Sequence, residues 1–320
     1  MIVTVTLNPA LDKTAFVDAM KPLALNRLRN LRLDAGGKGI NVSAVIRELG
    51  GRSIATGFAG GGVGEELLSL LAGKGLEADF VRVSGVTRTN LKVVDMHGGL
   101  TELNEPGPEI KPEEWLEMEK KLSSYGKAGN IVVLSGSLPG GLPRGLPGDT
   151  YQRFSAMLRR RGATVFLDAD GAALKLALES PPSEVPDYIK PNRYELLQYF
   201  GIADDETITE AKLAELCRSL LCKGIKLVAL SMGEAGAIFS NRNGTWKFPA
   251  VDIQVRSTVG AGDSMVGALA YGFEQGLPDE QCFALAMAAS GGACATEGTN
   301  PPDRVLVDTL LGRVRMEKIT

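Results

Sequence analysis

The chain has 320 residues, of which 44% are hydrophobic, and a formal net charge of −3 at pH 7. This apolar share is large enough for a full core, so a disordered chain is excluded, and no lysine- or arginine-rich tract points to nucleic acid or an anionic membrane as a partner. Four cysteines without a Cys-x-x-Cys pair and a single histidine favour reduced thiols over a zinc site.

The N-terminal residues 1–7 are predicted to form a first strand rather than a signal peptide. Apolar runs elsewhere are shorter than a membrane span, so we expect a cytoplasmic protein.

Apolar, β-branched runs alternate with amphipathic stretches along the chain. Strands are predicted at 3–7, 131–134, 164–167, 188–190 and 227–230. Helices are predicted at 42–49, 65–74, 112–123, 150–161, 209–222, 264–275 and 280–293. Because the strands are continuously apolar, they suit a mainly parallel sheet with helices on both faces, an α/β fold. The length allows one large domain or two smaller ones.

Polar residues or glycines follow each predicted strand at once. These residues are Asn8, Ser135, Gly136, Ser137, Asp168, Asp170, Lys190, Asn192, Ser231 and Gly233. Open parallel sheets bind ligands beyond the carboxyl ends of their strands, so we expect these segments to converge on one cleft.

Two segments, roughly 13–33 and 86–103, interrupt the alternation of strands and helices. The second alternates at Leu91 and Val93 and turns at residues 97–99, as a β-hairpin does. We predict that both form a small β-lid, which would exclude water from the cleft. One exposed apolar face of such a sheet favours a homodimer through the lid.

A glycine-rich turn, with Gly36, Gly37, Lys38 and Asn41, precedes the first predicted helix. Its spacing matches neither the dinucleotide-binding fingerprint nor a P-loop. The glycines would let sugar hydroxyls approach the backbone, and Lys38 could bind a phosphate. Asn41 could bind the sugar, cap the helix, or do both.

Three more side chains are candidates for binding the same substrate. Asp12 could accept hydrogen bonds from vicinal sugar hydroxyls, or be an ordinary turn residue. Arg27 and Arg88, in or beside the predicted lid, could bind a phosphate on the substrate, or be solvated surface arginines.

Two further groups are candidates for binding a nucleotide. Asn192 and Glu195 could hold a hydrated Mg²⁺ at the phosphates, although the same spacing is typical of a helix capping box. Ser231, Gly233 and Gly236 could form walls for adenine and ribose, although glycines near strand ends are common.

The most informative stretch is 258–267, in which Gly260 and Gly262 lead into Asp263 and a predicted helix. Glycine turns and a helix start present N–H groups to an anion. A carboxylate beside them can take a proton from an attacking hydroxyl during phosphoryl transfer. The alternative is an aspartate that only caps the helix.

Taken together and in order, these motifs resemble the ribokinase-like carbohydrate kinases, in their phosphofructokinase B branch. They are Asn8-Pro9-x-x-Asp12, Gly36-Gly37-Lys38-Gly39-x-Asn41, Thr87-Arg88, Ser135-Gly136-Ser137-Leu138-Pro139, Lys190-Pro191-Asn192-x-x-Glu195 and Thr258-Val259-Gly260-Ala261-Gly262-Asp263-Ser264. The resemblance covers essentially the whole chain and implies one domain over residues 1–320, with a ribokinase-like fold and a β-lid. It also implies dependence on ATP and Mg²⁺, and phosphorylation of a sugar hydroxymethyl group.

The resemblance also implies a role for each matching residue. Asp263 would be the catalytic base, and Gly260, Ala261 and Gly262 the anion hole. Asp12, Gly37, Lys38 and Asn41 match sugar-binding positions, Arg88 matches the arginine that binds a phosphate already on the sugar, and Asn192 and Glu195 match the motif that holds Mg²⁺ through water. Beside these matches, we predict substrate binding also at Arg27, Gly36 and Ser137, and ATP binding at Lys190, Asn192, Ser231, Gly233, Gly236 and the Gly260 turn.

Within the branch, the string at 101–110 is most similar to 1-phosphofructokinases, which implies conversion of fructose 1-phosphate to fructose 1,6-bisphosphate. Tagatose-6-phosphate kinases and 6-phosphofructokinases stay as alternatives, and a non-catalytic sugar-phosphate sensor is the alternative outside the kinases. The chain departs from the branch after Asp168, with Asp170 added and Ala172 where a glutamate is frequent.

Overall fold

The computed structural model describes residues 1–97, 99–140, 146–205 and 207–319, so Gly98, in the predicted lid turn, lies outside the described residues. The strands are β1 (Ile2–Thr6), β2 (Ala10–Val17), β3 (Arg29–Gly36), β4 (Ser53–Gly60), β5 (Glu77–Ala78), β6 (Val81–Val83), β7 (Arg88–Asp95), β8 (Leu100–Asn104), β9 (Ile131–Ser135), β10 (Thr164–Asp168), β11 (Tyr188–Ile189), β12 (Leu227–Ser231), β13 (Ala237–Asn241), β14 (Gly244–Phe248) and β15 (Glu317–Lys318). The helices are α1 (Lys38–Glu48), α2 (Gly61–Gly73), α3 (Pro112–Tyr125), α4 (Thr150–Arg160), α5 (Gly171–Leu178), α6 (Arg193–Phe200), α7 (Glu210–Leu221), α8 (Ala261–Glu274), α9 (Asp279–Ala295) and α10 (Arg304–Leu311).

A large sheet runs through the molecule in the order β15-β14-β13-β12-β11-β10-β9-β1-β4-β5, and β6 also pairs with β4. The strands from β5 to β12 pair in parallel, as predicted. β13, β14 and β15 add an antiparallel edge that was not predicted. An Asn-Gly pair at 243–244, a common signal for a hairpin turn, marks this edge in the sequence.

Helices cover both faces of the large sheet because its strands are apolar on both sides. Val132 and Leu134 of β9 pack into a core with residues of α3 to α7. Ile131 and Val133 of the same strand pack on the other face with residues of α1, α8, α9 and α10. The predicted α/β ribokinase-like arrangement is therefore confirmed. In the part of the chain that the structure describes, no helix has both the length and the apolar character to cross a bilayer.

A second sheet, here called the lid, has four strands in the order β3-β2-β7-β8. β2 pairs antiparallel with β3 and parallel with β7, and β7 and β8 form the predicted hairpin. The lid begins at Ala10, earlier than the predicted start at residue 13. Asp12 therefore lies on a lid strand and not in a turn, because the chain passes directly from the large sheet into the lid.

Two helices begin at the carboxyl edge of the large sheet, each directly after a glycine with positive φ. Gly37 precedes α1 with φ 127°, and a Cβ there would lie 2.5 Å from the Thr6 methyl group. Gly260 precedes α8 with φ 83° in the left-handed region. Both helix N-termini therefore point to the same edge of the sheet.

Candidate active site

A cavity of about 500 Å³ lies between the carboxyl edge of the parallel strands and the lid. Polar segments after four strands reach it, at Asn8, Gly136, Asp168 and Lys190. The predicted site residues that line it are Asp12, Gly37, Lys38, Asn41, Arg88, Ser137, Lys190, Gly260, Gly262 and Asp263. The structure thus brings most of the sequence candidates together.

Asp263 lies buried in the first turn of α8 and faces this cavity. The Asn41 amide donates a hydrogen bond of 2.8 Å to its Oδ2 atom. Burial and the nearby Asp168 carboxylate raise the pKa of Asp263 to about 6. A carboxyl group with a pKa close to neutrality is suited to take a proton from a hydroxyl group.

Gly262, directly before Asp263, lies against the Lys190 side chain. A Cβ on Gly262 would lie 3.1 Å from the Lys190 ammonium nitrogen. Gly260 and Gly262 line the cavity at the start of α8, where backbone N–H groups lack intrahelical acceptors. The turn can therefore accept an anion close to Asp263 and Lys190.

Asp168, at the end of β10, is buried and bridges two lysines. Lys38 and Lys190 each place the ammonium nitrogen 3.4 Å from its Oδ1 atom. Burial opposes the charged form, but the two lysines outweigh it and lower the pKa of Asp168. Its Oδ2 atom is buried and accepts no hydrogen bond from the described residues. The sequence predicts Asp168 at the cleft, as a polar residue directly after an apolar strand, but contains no signal that it bridges two lysines.

Two cations of the cavity are available to a phosphate. Burial alone would lower the pKa of Lys38, but Asp168 and Asp263 raise it above its ordinary value, so Lys38 stays charged. Arg88 is half-buried at the start of β7 and donates through Nη1 to the Glu105 carbonyl at 3.2 Å. Its Nε is buried and has no acceptor among the described residues.

Asp12 accepts hydrogen bonds on both carboxylate oxygens. Asn90 donates to Oδ1 at 3.0 Å, and the Lys92 ammonium lies 2.9 Å from Oδ2. Sequence reasoning missed both donors. The signal was the strand alternation that begins at Arg88, since every second residue of a strand faces the same side.

Asn192 and Glu195 form the capping box of α6. The Glu195 N–H donates to Asn192 Oδ1, and the Asn192 N–H donates to Glu195 Oε2, each at 2.8 Å. Burial raises the pKa of Glu195, although the bond from Asn192 opposes this shift. The prediction that this motif is a helix capping box is confirmed. Its proposed role in binding Mg²⁺ stays a prediction.

Several candidates lie outside the cavity lining. Arg27 is exposed in the loop between β2 and β3, so this chain does not bring it to the other substrate residues. Asn192 and Gly233 are exposed, and Ser231 pairs with Asn192 through an isolated bridge. Gly236 is buried, where a Cβ would lie 2.0 Å from the Phe248 carbonyl oxygen. Close packing of the backbone therefore accounts for Gly236.

Gly36 and Ser137 have separate positions near the substrate side. Gly36 packs behind Asp12, where a Cβ would lie 2.6 Å from the carboxyl carbon. The exposed Ser137 hydroxyl accepts a 3.4 Å hydrogen bond from the Asn8 amide. These positions are compatible with the predicted contacts of both residues with the sugar. The contacts themselves stay a prediction.

Known proteins resemble this chain over nearly its full length. The model of the pfkB family carbohydrate kinases matches residues 5–305. The chain is 38% identical over 292 residues to the 1-phosphofructokinase of Xanthomonas campestris pv. campestris, which covers 90% of this chain and 89% of that protein. It is 34% identical over 321 residues to the 1-phosphofructokinase of Haemophilus influenzae, with 99% and 98% covered.

A solved structure agrees with the fold. Phosphofructokinase-2 from Escherichia coli, in complex with potassium, superposes with a TM-score of 0.90 at 28% identity and covers 97% of this chain and 98% of that one. Family model, sequence relatives and fold all agree. The chain therefore belongs to the pfkB family of carbohydrate kinases, which transfer a phosphoryl group to an alcohol.

Proposed function

We propose that this kinase phosphorylates fructose 1-phosphate with ATP and yields fructose 1,6-bisphosphate and ADP. One observation carries the proposal: a buried carboxylate, Asp263, shares a cavity with two cations, Lys38 and Arg88, and with the hydroxyl acceptor Asp12. Such a cavity offers separate places for a sugar, for its phosphate and for the proton that is lost on transfer.

The sugar end of the cavity would bind through Asp12, Asn41 and the backbone at Gly37. The phosphate already on the sugar would bind Lys38 and the Nε of Arg88, which has no acceptor in the part of the chain that the structure describes. A guanidinium and an ammonium group together suit a dianionic phosphate.

The reaction needs one proton transfer and one phosphoryl transfer. As the C6 hydroxyl oxygen attacks the γ-phosphorus, Asp263 accepts its proton. The new O–P bond forms while the bond from the γ-phosphorus to ADP breaks. Lys190 and the backbone N–H groups at the start of α8 would stabilise the negative charge on the transferring group.

Kinases of the pfkB family in general use ATP with Mg²⁺. Asn192 and Glu195 would hold the ion through water at the phosphates, and their oxygen atoms are of the kind that Mg²⁺ prefers. A bound cation would also offset the burial that raises the pKa of Glu195. When bound, Mg²⁺ shields the charge of the phosphates.

The choice of fructose 1-phosphate as the sugar follows from the sequence relatives. Both sequence relatives described above are named 1-phosphofructokinases, which supports fructose 1-phosphate. Tagatose 6-phosphate is the second candidate, and fructose 6-phosphate the third. The departures at Asp170 and Ala172 bear on this choice, because Asp170 lines the cavity. The sugar-phosphate sensor is set aside because the chain belongs to a kinase family.

The test measures release of ADP with ATP-Mg²⁺ and, in parallel, fructose 1-phosphate, tagatose 6-phosphate and fructose 6-phosphate. We expect the highest kcat/KM with fructose 1-phosphate. A preference for either other sugar would replace the substrate and keep the mechanism. Turnover of none of them would contradict the proposed function. The Asp263→Asn variant, measured with the same panel, gives the background rate.

A further inference from the structure

We propose that Lys92 is a positioning residue for the sugar, because it holds the Asp12 carboxylate in place from the lid. Affinity for the phosphosugar should then depend on Lys92, whereas affinity for the nucleotide should not. The inference rests on the proposed function, since it takes Asp12 as the acceptor of sugar hydroxyls.

The lid strands bring these side chains to one face. Arg88, Asn90 and Lys92 alternate along β7, and all three line the cavity. The parallel register of β2 and β7 sets Asp12 opposite Asn90. Lys92 follows Asn90 by two residues and lies on the same face of β7. Its ammonium group therefore reaches the second carboxylate oxygen of Asp12.

The carboxylate of Asp12 is held on three sides. Asn90 donates to Oδ1, Lys92 pairs with Oδ2, and Gly36 packs behind the carboxyl carbon without room for a side chain. The Asp12 side chain is 10% exposed and that of Lys92 19%. An ion pair sheltered to this degree is screened less by water and salt than a surface pair.

Lys92 has a second acidic neighbour on the lid. The antiparallel register of β7 and β8 sets the exposed Glu102 opposite Lys92. Within the described residues, however, the ion pair of Lys92 is with Asp12 and not with Glu102. The ammonium group is thereby turned toward the substrate cavity rather than toward solvent.

This arrangement leaves Asp12 free to act on a sugar. A carboxylate offers about four acceptor sites, of which Asn90 and Lys92 each occupy one. The remaining acceptor sites can accept hydrogen bonds from two sugar hydroxyls. The ion pair with Lys92 fixes the orientation of the carboxylate and therefore of these two sites. Without Lys92 the carboxylate would lose its ion pair and one of its two polar restraints.

The first experiment compares steady-state kinetics of Lys92→Met, Lys92→Arg and the wild type, with the phosphosugar that the wild type turns over fastest. We expect Lys92→Met to raise KM for the phosphosugar by roughly tenfold or more, since one partner of a sheltered charge pair is removed. KM for ATP should stay within about twofold, because the ion pair of Lys92 lies at the sugar end of the cavity. Lys92→Arg should restore most of the affinity.

The matched control is Lys120→Met, which removes the same charge from an exposed position on α3. Unchanged KM for the phosphosugar in Lys92→Met would overturn the inference. So would equal rises in both KM values together with a lower melting temperature, because that pattern indicates general damage to the lid.

A double-mutant cycle then tests whether Lys92 acts through Asp12. Calorimetric titration with the three phosphosugars gives affinities of Asp12→Ala with and without Lys92→Met. We expect the second substitution to cost about twofold or less once Asp12 is gone. If the two substitutions instead reduced the affinity independently, so that their fold-changes multiplied, Lys92 would contact the substrate itself. That result would contradict the proposal. If the wild type turned over none of the sugars, the proposed function would fail, and these binding measurements would still decide the role of Lys92.

Discussion

At the scale of single residues, two buried aspartates of one cavity have opposite pKa shifts. Burial and a like charge raise the pKa of Asp263, whereas two lysines lower that of Asp168 in spite of its burial. Opposite shifts assign opposite roles. Asp263 can exchange a proton near neutral pH, and Asp168 stays ionised and holds its lysines.

Replacement of Asp263 tests its role directly. We expect Asp263→Asn to lower kcat by ~10²–10⁴-fold, the usual cost of a lost general base, and to leave KM for both substrates nearly unchanged. Steady-state measurement of ADP release gives kcat and both KM values for this comparison. The exposed Asp252→Asn serves as the control and should behave as the wild type. A kcat close to that of the wild type in Asp263→Asn would refute the assignment.

The pH dependence of kcat/KM follows from the same residue. The pKa of Asp263 is about 6, above its ordinary value of 3.8, so the base is protonated and inactive below about pH 6. We expect kcat/KM to be level above this pH and to fall about tenfold per pH unit below it. The profile is measured with a phosphosugar in a buffer series of constant ionic strength. An acidic limb near pH 4 would show that burial does not shift this group.

The raised pKa also has a consequence for stability. The folding penalty is full above about pH 6, where the carboxyl group is ionised in both states. It shrinks as the pH falls from about 6 toward 3.8, because the folded group binds a proton before the unfolded group does. The Asp263→Asn variant should therefore melt at a higher temperature than the wild type at pH 8, and this difference should shrink toward pH 5.

Arg88 is expected to recognise the phosphate on the sugar. Arg88→Ala should raise KM for the phosphosugar at least about tenfold, because a charge pair with the phosphate is lost, while KM for ATP changes little. The comparison substrate is unphosphorylated fructose, for which the substitution should matter far less. Equal effects on both sugars would remove phosphate recognition from Arg88.

At the scale of elements, two glycines near the ends of strands and helices serve different purposes. Gly236, before β13, has φ 92° and would place a Cβ 2.0 Å from a backbone carbonyl oxygen. At Gly262, on α8, the nearest atom is the flexible end of Lys190. A glycine is therefore needed at 236 for the fold to form without a backbone clash. A glycine is needed at 262 so that Lys190 can keep its position in the cavity.

Alanine at each position should separate the two effects. We expect Gly236→Ala to lower the free energy of unfolding by about 2 kcal/mol or more, because positive φ and a backbone clash combine. Gly262→Ala should leave stability nearly unchanged and raise KM for ATP, because Lys190 must move. Urea denaturation and steady-state kinetics measure both variants, and the reverse pattern would contradict this reading.

At the scale of the whole molecule, the lid has a cavity face and an outer face. Strand alternation sets Leu33 and Leu103 on the face opposite Asp12, and both are exposed. Leu23 and Leu25, in the loop between β2 and β3, are exposed as well. An apolar surface of this kind supports the predicted homodimer through the lid.

Light scattering of the wild type and of Leu103→Asp tests the dimer. Leu103 is 54% exposed, so an aspartate there should leave the fold intact and break a lid interface, which gives a monomer. The control is Leu116→Asp on α3, which is 60% exposed and lies away from the lid. A monomeric mass for the wild type would make the prediction wrong.

Local patterns in the sequence determined the parallel α/β sheet, the interruption by a lid and the helix that carries Asp263 in its first turn. These features depend only on residues that are close together in the sequence: continuous apolar strands, amphipathic periods and glycine turns. A single sequence is therefore enough to predict them. The capping box of Asn192 and Glu195 was visible in the same way.

Tertiary structure alone decided which distant side chains meet. The register of β2 against β7 pairs Asp12 with Asn90 and brings Lys92 to it, although nearly eighty residues separate them. The bridge from Lys38 through Asp168 to Lys190, and the exclusion of Arg27 from the cavity, depend on three-dimensional packing in the same way. Sequence patterns report the period of an element, whereas contacts between elements depend on register and crossover, which no local pattern contains.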